Sequence, residues 1–333
     1  MILNVPAEWS PHKAMWVGFP SHADLWEENL EPAQAEVAAL ARALAGPGGE
    51  QVKLLVHGDA AKTAAHGLLA GVENIEIVAG LFGDIWLRDT GPIFLTADSE
   101  PAAAGFEFNG WGGKYVLEGD DAVAGQLAEH AAVPLIRHPY VLEGGALDHD
   151  GVGTILTTRQ CLLNANRNTG WSEADAESAL AQALGAKKVL WLDDGLINDH
   201  TDGHVDNLAR FVAPGVVACP VAFGHGDPNA RIYDAAAAAL AKMTDARGER
   251  LTVMRIPSPG RIEADRKVIP ASHMNFLVAN RAVIVPLYGA ASGAMAVAAC
   301  EALFPDRVAI GLPSTAILTG GGSFHCISQQ EPA

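Results

Sequence analysis

Polar clusters recur beside short β-rich runs at a nearly regular interval along the whole chain. Asp89 (WLRDTGP), Glu143 (LEGGALDHDGVGT), His204 (DGHVDN), Asn275 (HMNF) and Cys326 (GGSFHC) follow one another at 54, 61, 71 and 51 residues. Helical segments lie between them, so the fold class is mixed α/β. Units of this size without self-similar sequence fit modules set around an axis. They fit a doubly wound parallel sheet equally well. That second fold usually carries a glycine-rich turn after its first strand. The segment VKLLVHGDAAKTAAHG contains neither GxGxxG nor GxxxxGK[ST], which disfavours nucleotide binding of those kinds.

The periodicity predicts helices over 27–45, 121–132, 172–184, 229–243 and 292–303, and a weaker one over 59–70. Ser172 is the expected N-cap of the third and Gly185 its C′ residue. Strands are expected at 52–57, 75–80, 92–96, 154–158, 161–164, 208–212, 215–220, 275–279 and 282–288. The pairs 208–220 and 275–288 read as hairpins with short turns.

Composition narrows the classes further. Of 333 residues, 49% are hydrophobic and only 18% charged, which is enough apolar material for a large core and excludes disorder. Twenty-two Lys and Arg stand against 39 Asp and Glu, a net charge of −17. Nucleic acid and anionic membrane are therefore disfavoured as main partners, and a cationic one fits better. The start has no signal-peptide pattern, and no apolar stretch approaches a membrane span. Cys161, Cys219, Cys300 and Cys326 are widely spaced, without a disulfide framework or zinc-ribbon pattern. A cytoplasmic, reduced setting is expected.

Chemistry concentrates in a few places. Three glycines precede Cys326, with His325 beside it. Such a run is costly unless the backbone must bend sharply or approach something closely. A thiol is the strongest side-chain nucleophile near neutral pH, so Cys326 reads as a nucleophile, and Cys219 and Cys300, inside apolar runs, as buried hydrophobes. In NDHTDGHVDN, His204 can shuttle protons while Asp206 binds a cation, both facing one way if the segment enters a strand. The same segment allows a metal reading through His200, His204, Asp202 and Asp206, although Gly203 and the β-rich sequel speak against a zinc-binding helix. Asp89 and Glu143 are either turn carboxylates or pocket acids. Trp86 and Trp111 are either core filler or pocket walls.

Taken together, WLRDTGPIF, FNGWGGKY, EGGALDHDGVGTILTT, CLLNANRN, DGHVDNLARF, NF and GGGSFHCISQQEP resemble the agmatine deiminase family. That family is related to the Porphyromonas-type peptidyl-arginine deiminases within the guanidino-modifying pentein superfamily. The resemblance implies a five-bladed α/β propeller of ββαβ-type units and a single catalytic domain over 1–333. It implies Cys326 as nucleophile, His204 as general acid/base and Glu143 beside it. Asp89 and Asp206 would hold the guanidinium, with Trp86, Trp111 and Gly321 completing the substrate-binding set. His200 stands where the family pattern has Asp or Glu, and Ser323 where it has Asn.

The residue types suit the chemistry. Two carboxylates can grip the N–H forks of a planar cation and turn its carbon towards sulfur. The expected reaction converts agmatine to N-carbamoylputrescine and ammonia through a Cys-bound thiouronium, without metal or organic cofactor. A small cationic guanidino substrate is thus the expected partner, and family analogy points to a homodimer. Free arginine would need a cation for its α-carboxylate, for which Arg88, Lys114 and Arg167 are candidates. Two readings from other classes stay open: a metal-dependent hydrolase using the His200/His204 cluster, and a non-catalytic binding module on the same fold.

Overall fold

The computed structural model describes residues 2–264 and 266–333. Among them, five sheets repeat one construction: an antiparallel pair, then a helical crossover to a strand parallel to the second. The first unit orders Ser328–Pro332, His12–Gly18, Val52–Val56 and Ile75–Ala79, so the last strand of the chain pairs with one of its first. The second orders Ile93–Ala97, Glu100–Glu107 and Leu135–Val141, with Leu3–Asn4 added at its edge. The third is Asp148–His149, Thr154–Thr158 and Lys188–Leu192. The fourth is Arg210–Ala213, Val216–Val221 and Thr252–Pro257, and the fifth is Leu277–Val278, Ala282–Leu287 and Val308–Pro313.

The crossover helices are Leu30–Ala45, Val123–Ala131, Glu173–Leu184, Ala230–Leu240 and Gly293–Leu303. They are rich in alanine, which has the best helix propensity and lets a helix lie close to its sheet. Helix Glu173–Leu184 is bounded as its sequence predicts. Ser172 and Asp175 form a reciprocal capping box, and Gly185 closes the other end at φ 71°. Such a cap contributes about 1 kcal/mol. Gly58–Leu68 is helical, as the weaker pattern suggests.

Each unit touches the next. Ser328–Pro332 lies against Ile93–Ala97, helix Glu173–Leu184 against Leu3–Asn4, and Asp148–His149 against Arg210–Ala213. Helix Gly293–Leu303 packs on Thr252–Pro257, and helix Leu30–Ala45 on Val308–Pro313, which brings the fifth unit back to the first.

Three expectations need correction. The run CLLN is not a strand. Thr158 accepts a hydrogen bond from the Cys161 amide (3.3 Å) and starts the helical turn Arg159–Leu162. Only Leu277–Val278 of 275–279 pairs as a strand, because Asn275 is committed to side-chain bonds. His204 and Asp206 do not enter a strand together: Val205–Asn207 is a 3-10 turn ahead of Arg210–Ala213, and it sends the two side chains apart.

Candidate functional site

The regular spacing acquires a structural meaning here. Asp89, Glu143, His204, Asn275 and Cys326 each stand shortly before the first strand of a unit, at Ile93, Asp148, Arg210, Leu277 and Ser328. Five equivalent strand entries thereby deliver five polar side chains to one buried cluster.

Asp89 is fixed from two sides. Its Oδ1 accepts the Gly145 amide (2.9 Å) and its Oδ2 the Trp111 indole N–H (2.9 Å). Trp111 adopts φ 54°, an uncommon conformation for a bulky residue, at the turn that makes this bond. Glu143 is buried and bonded to the Arg167 guanidinium, which also binds Asp202 (2.8 Å). Burial pushes the Glu143 carboxyl up, with Arg167 and His204 pulling against it.

His204 Nδ1 lies 3.7 Å from Asp89 Oδ1, and neither ring nitrogen has a hydrogen-bond partner. Burial alone would discharge this imidazole. Asp89, Cys161 and Glu143 around it instead hold it well above the ordinary histidine range, so it is a proton donor in the free protein. A methyl group at Gly145 would stand 2.6 Å from His204 Nδ1 and 2.8 Å from Asp89 Oδ1. Gly145→Ala should therefore displace both groups and lower kcat/KM for the reaction proposed below by about 10²-fold. Steady-state kinetics would check this, and wild-type values in a folded variant would contradict it.

Asp206 faces the other side of the cluster. Its Oδ2 accepts from His325 Nδ1 (2.9 Å) and Asn275 Nδ2 (3.3 Å) and lies 3.5 Å from Cys326 Sγ. Its Oδ1 is buried without a partner. Burial would raise Asp206, but the bond to His325 and that ring's charge hold it below the usual range. His325 in turn reaches Glu8 through Nε2 (3.2 Å). Two carboxylates flank this ring, so each of its nitrogens faces an acceptor.

Cys326 Sγ is 3.1 Å from Asn275 Nδ2, while Asn275 Oδ1 accepts the His325 and Cys326 amides (2.9 and 3.3 Å). Burial, then the charges of Asp206 and Asp89, push the thiol well above its ordinary value. The free protein thus holds a neutral thiol beside two carboxylates, an arrangement completed by a cation.

A pocket of about 290 Å³ opens over this cluster. Trp86, Asp89, Trp111, the Gly320–Gly322 run and Cys326 form its inner part, and Glu27, Tyr115 and His200 its mouth. Gly321 adopts φ 106°, open to glycine and costly for other residues. All eight residues expected at the site therefore meet: Asp89, Trp86, Trp111, Gly321 and Cys326 line the pocket, Asp206 lies beside Cys326, and Glu143 and His204 stand behind.

The histidine-rich metal reading loses its geometry. His200 is exposed at the mouth, Asp202 pairs with Lys114 (2.6 Å) and Arg167, and Asp206 turns to His325. A different trio, Glu143, Cys161 and His204, offers donor atoms within 4.8 Å of one another. Arg167, bonded to Glu143, already supplies a fixed cation there and would repel a second.

Sequence reasoning assigned no site role to Asn275, His325, Cys161 or Asp84, and it read Arg167 as a carboxylate receiver. Asn275 did carry a signal, as a member of the regular series. The partners of the others lie too far away in sequence to give one.

Comparison with known proteins shows the family. The family model for Porphyromonas-type peptidyl-arginine deiminase matches residues 4–332. Agmatine deiminase of Pseudomonas aeruginosa is 36% identical over 99% of this chain and 95% of its own length. The solved agmatine deiminase of Enterococcus faecalis superposes with a TM-score of 0.94 at 33% identity, covering 99% of this chain and 96% of that one. A cysteine-to-serine variant of the C. jejuni agmatine deiminase, solved with substrate bound, superposes at 0.91 with 26% identity over 100% and 97% of the two chains. DDAH from Pseudomonas aeruginosa shares the fold alone, at 13% identity and a TM-score of 0.54. The chain belongs to the Porphyromonas-type peptidyl-arginine deiminase family, together with the agmatine deiminases.

Proposed function

We propose that this protein deiminates agmatine, giving N-carbamoylputrescine and ammonia. The observation that carries the choice of substrate is the charge of the pocket. Its described lining holds Glu27, Asp84 and Asp89 but no lysine or arginine. The three cations that could have received the α-carboxylate of arginine are engaged elsewhere. Arg88 donates to Gln329 and Gln330 (2.8 Å each), Lys114 to Asp202 and the His200 carbonyl, and Arg167 to Glu143. A carboxylate-bearing tail finds no partner, whereas an ammonium tail finds Glu27 at the mouth.

The guanidinium lies between Asp89 and Asp206, where the buried, unpartnered Asp206 Oδ1 accepts one of its N–H groups. Trp86 and Trp111 flank the chain. Bringing this cation in offsets the carboxylate charges that keep Cys326 protonated. Sulfur then attacks the guanidinium carbon, and His204 gives its proton to the departing nitrogen. The thiol proton leaves with the ammonia as ammonium, so the balance is one thiouronium, one ammonium and a neutral His204. Water, deprotonated by His204, attacks the same carbon, and the C–S bond breaks to release the ureido product and the thiol. Glu143, itself steadied by Arg167, keeps His204 cationic for the first step. Nothing in these steps calls on a metal or organic cofactor.

The five successive unit contacts support reading the fold as a closed five-bladed α/β propeller formed by one catalytic domain over 1–333. Among the described residues no helix is long and apolar enough to cross a membrane. Ammonia release measured side by side from agmatine, free arginine and a peptide ending in arginine tests the proposal. Agmatine should exceed both by at least about 100-fold in kcat/KM, since an unpaired carboxylate in such a pocket costs several kcal/mol. A preference for either other substrate overturns it.

A further inference from the structure

We propose that Asp84 is a positioning residue for this pocket: its carboxylate pins the indoles of Trp26 and Trp86, and through them the glycine run that carries Cys326. The inference rests on the deiminase reading. Asp84 is buried and lines the pocket. Its Oδ1 accepts the Trp26 indole N–H (3.0 Å) and the Ile85 amide (2.8 Å), and its Oδ2 accepts the Trp86 indole N–H (2.6 Å). The two rings lie stacked, with centroids 6.4 Å apart. The catalytic loop rests on them. A methyl group at Gly320 would stand 2.7 Å from Trp86 Cζ2 and 3.0 Å from Trp26 Cη2, and one at Gly322 would stand 2.6 Å from Trp86 Cζ3 and 3.0 Å from Cys326 Cβ. This close approach is why the loop is glycine at those points. The carboxylate is itself held in place, because Asp120 Oδ1 accepts the Gly83 and Asp84 amides (2.8 and 3.1 Å).

An indole nitrogen only donates, so both Asp84 oxygens must be acceptors. Protonation turns one of them into a donor facing a donor and releases one ring. Burial, with the nearby Asp120 charge adding to it, raises the Asp84 carboxyl to about 6, against the pull of the Ile85, Trp86 and Trp26 bonds. The charged and titratable groups around it are Asp120 and, beyond Asp120, His22 and Asp121, while Glu27, Asp89, His200 and Cys326 line the same pocket. Asp84 is therefore ionised above about pH 6 and protonated below it, where the wall loosens.

The test is kinetic and spectroscopic. Asp84→Asn should raise KM for agmatine at least about 10-fold at pH 8 while kcat changes less than about threefold. Wild-type KM should rise as pH falls through about 6, and that limb should disappear in the variant. Tryptophan emission of the unliganded wild type should titrate over the same range and be flat in Asp84→Asn. Trp26→Phe, which removes one donor, should move the emission midpoint to higher pH. The emission readout needs no turnover, so an inactive wild type would sink the deiminase reading and leave the role of Asp84 measurable. An unchanged KM, or an acid limb and emission titration that persist in Asp84→Asn, overturns the proposal.

Discussion

Cys326→Ser should abolish ammonia release from agmatine, with kcat falling at least about 10⁴-fold, or about 5.5 kcal/mol of transition-state stabilisation. A serine hydroxyl is a far weaker nucleophile, and no neutral base in the cluster is placed to activate it, because His204 is held as the imidazolium. Binding should survive. Asp89, Asp206 and the tryptophan walls make the cation site, and calorimetry should give a dissociation constant for agmatine within about threefold of the wild-type KM. The same electrostatics predict the reactivity of the native thiol. Burial and the charges of Asp206 and Asp89 hold it protonated, so labelling of Cys326 by neutral iodoacetamide should accelerate continuously from about pH 6 to about pH 9. A plateau below about pH 8 would mean a preformed thiolate and would refute activation by the substrate's charge.

The most informative sequence feature turned out to be positional. Asp89, Glu143, His204, Asn275 and Cys326 recur because each precedes the first strand of a unit, and the chain repeats that construction five times. First and central strands were legible where valine and isoleucine run together, as in Ala282–Leu287. Apart from Ile75–Ala79, the last strand of each unit was not. Leu135–Val141, Thr252–Pro257 and Val308–Pro313 are sheet edges, paired on one side only and partly exposed, so they carry charged residues, proline or glycine that mask the pattern. The supporting side chains were hidden for a different reason. Asp84 meets Trp26 across 58 residues, and His325 meets Glu8 across 317. Arg167 looked like a free cation because its partner Glu143 lies on another loop. Local pattern locates the groups that do chemistry, whereas their supports are defined by the packing of units distant in sequence.

Asp206→Asn should lower kcat/KM for agmatine by about 30- to 5,000-fold, the range expected when one partner of a buried, hydrogen-bonded charge pair is removed. Two losses combine. His325 keeps its contact with Glu8 but loses the carboxylate at its other nitrogen. If the amide oxygen of the variant turns to His325, its NH₂ faces the guanidinium, setting donor against donor. If it turns the other way, it confronts His325 instead. A purely structural role for Asp206 predicts that thiol labelling and turnover decline together. The substrate-holding role predicts that they part. Removing the carboxylate removes, after burial, the largest influence keeping Cys326 protonated, so neutral iodoacetamide should label the variant faster than wild type at pH 7.5. A protein that turns over agmatine more slowly while its nucleophile reacts more readily identifies Asp206 as the group that spends its charge on the substrate rather than on the sulfur.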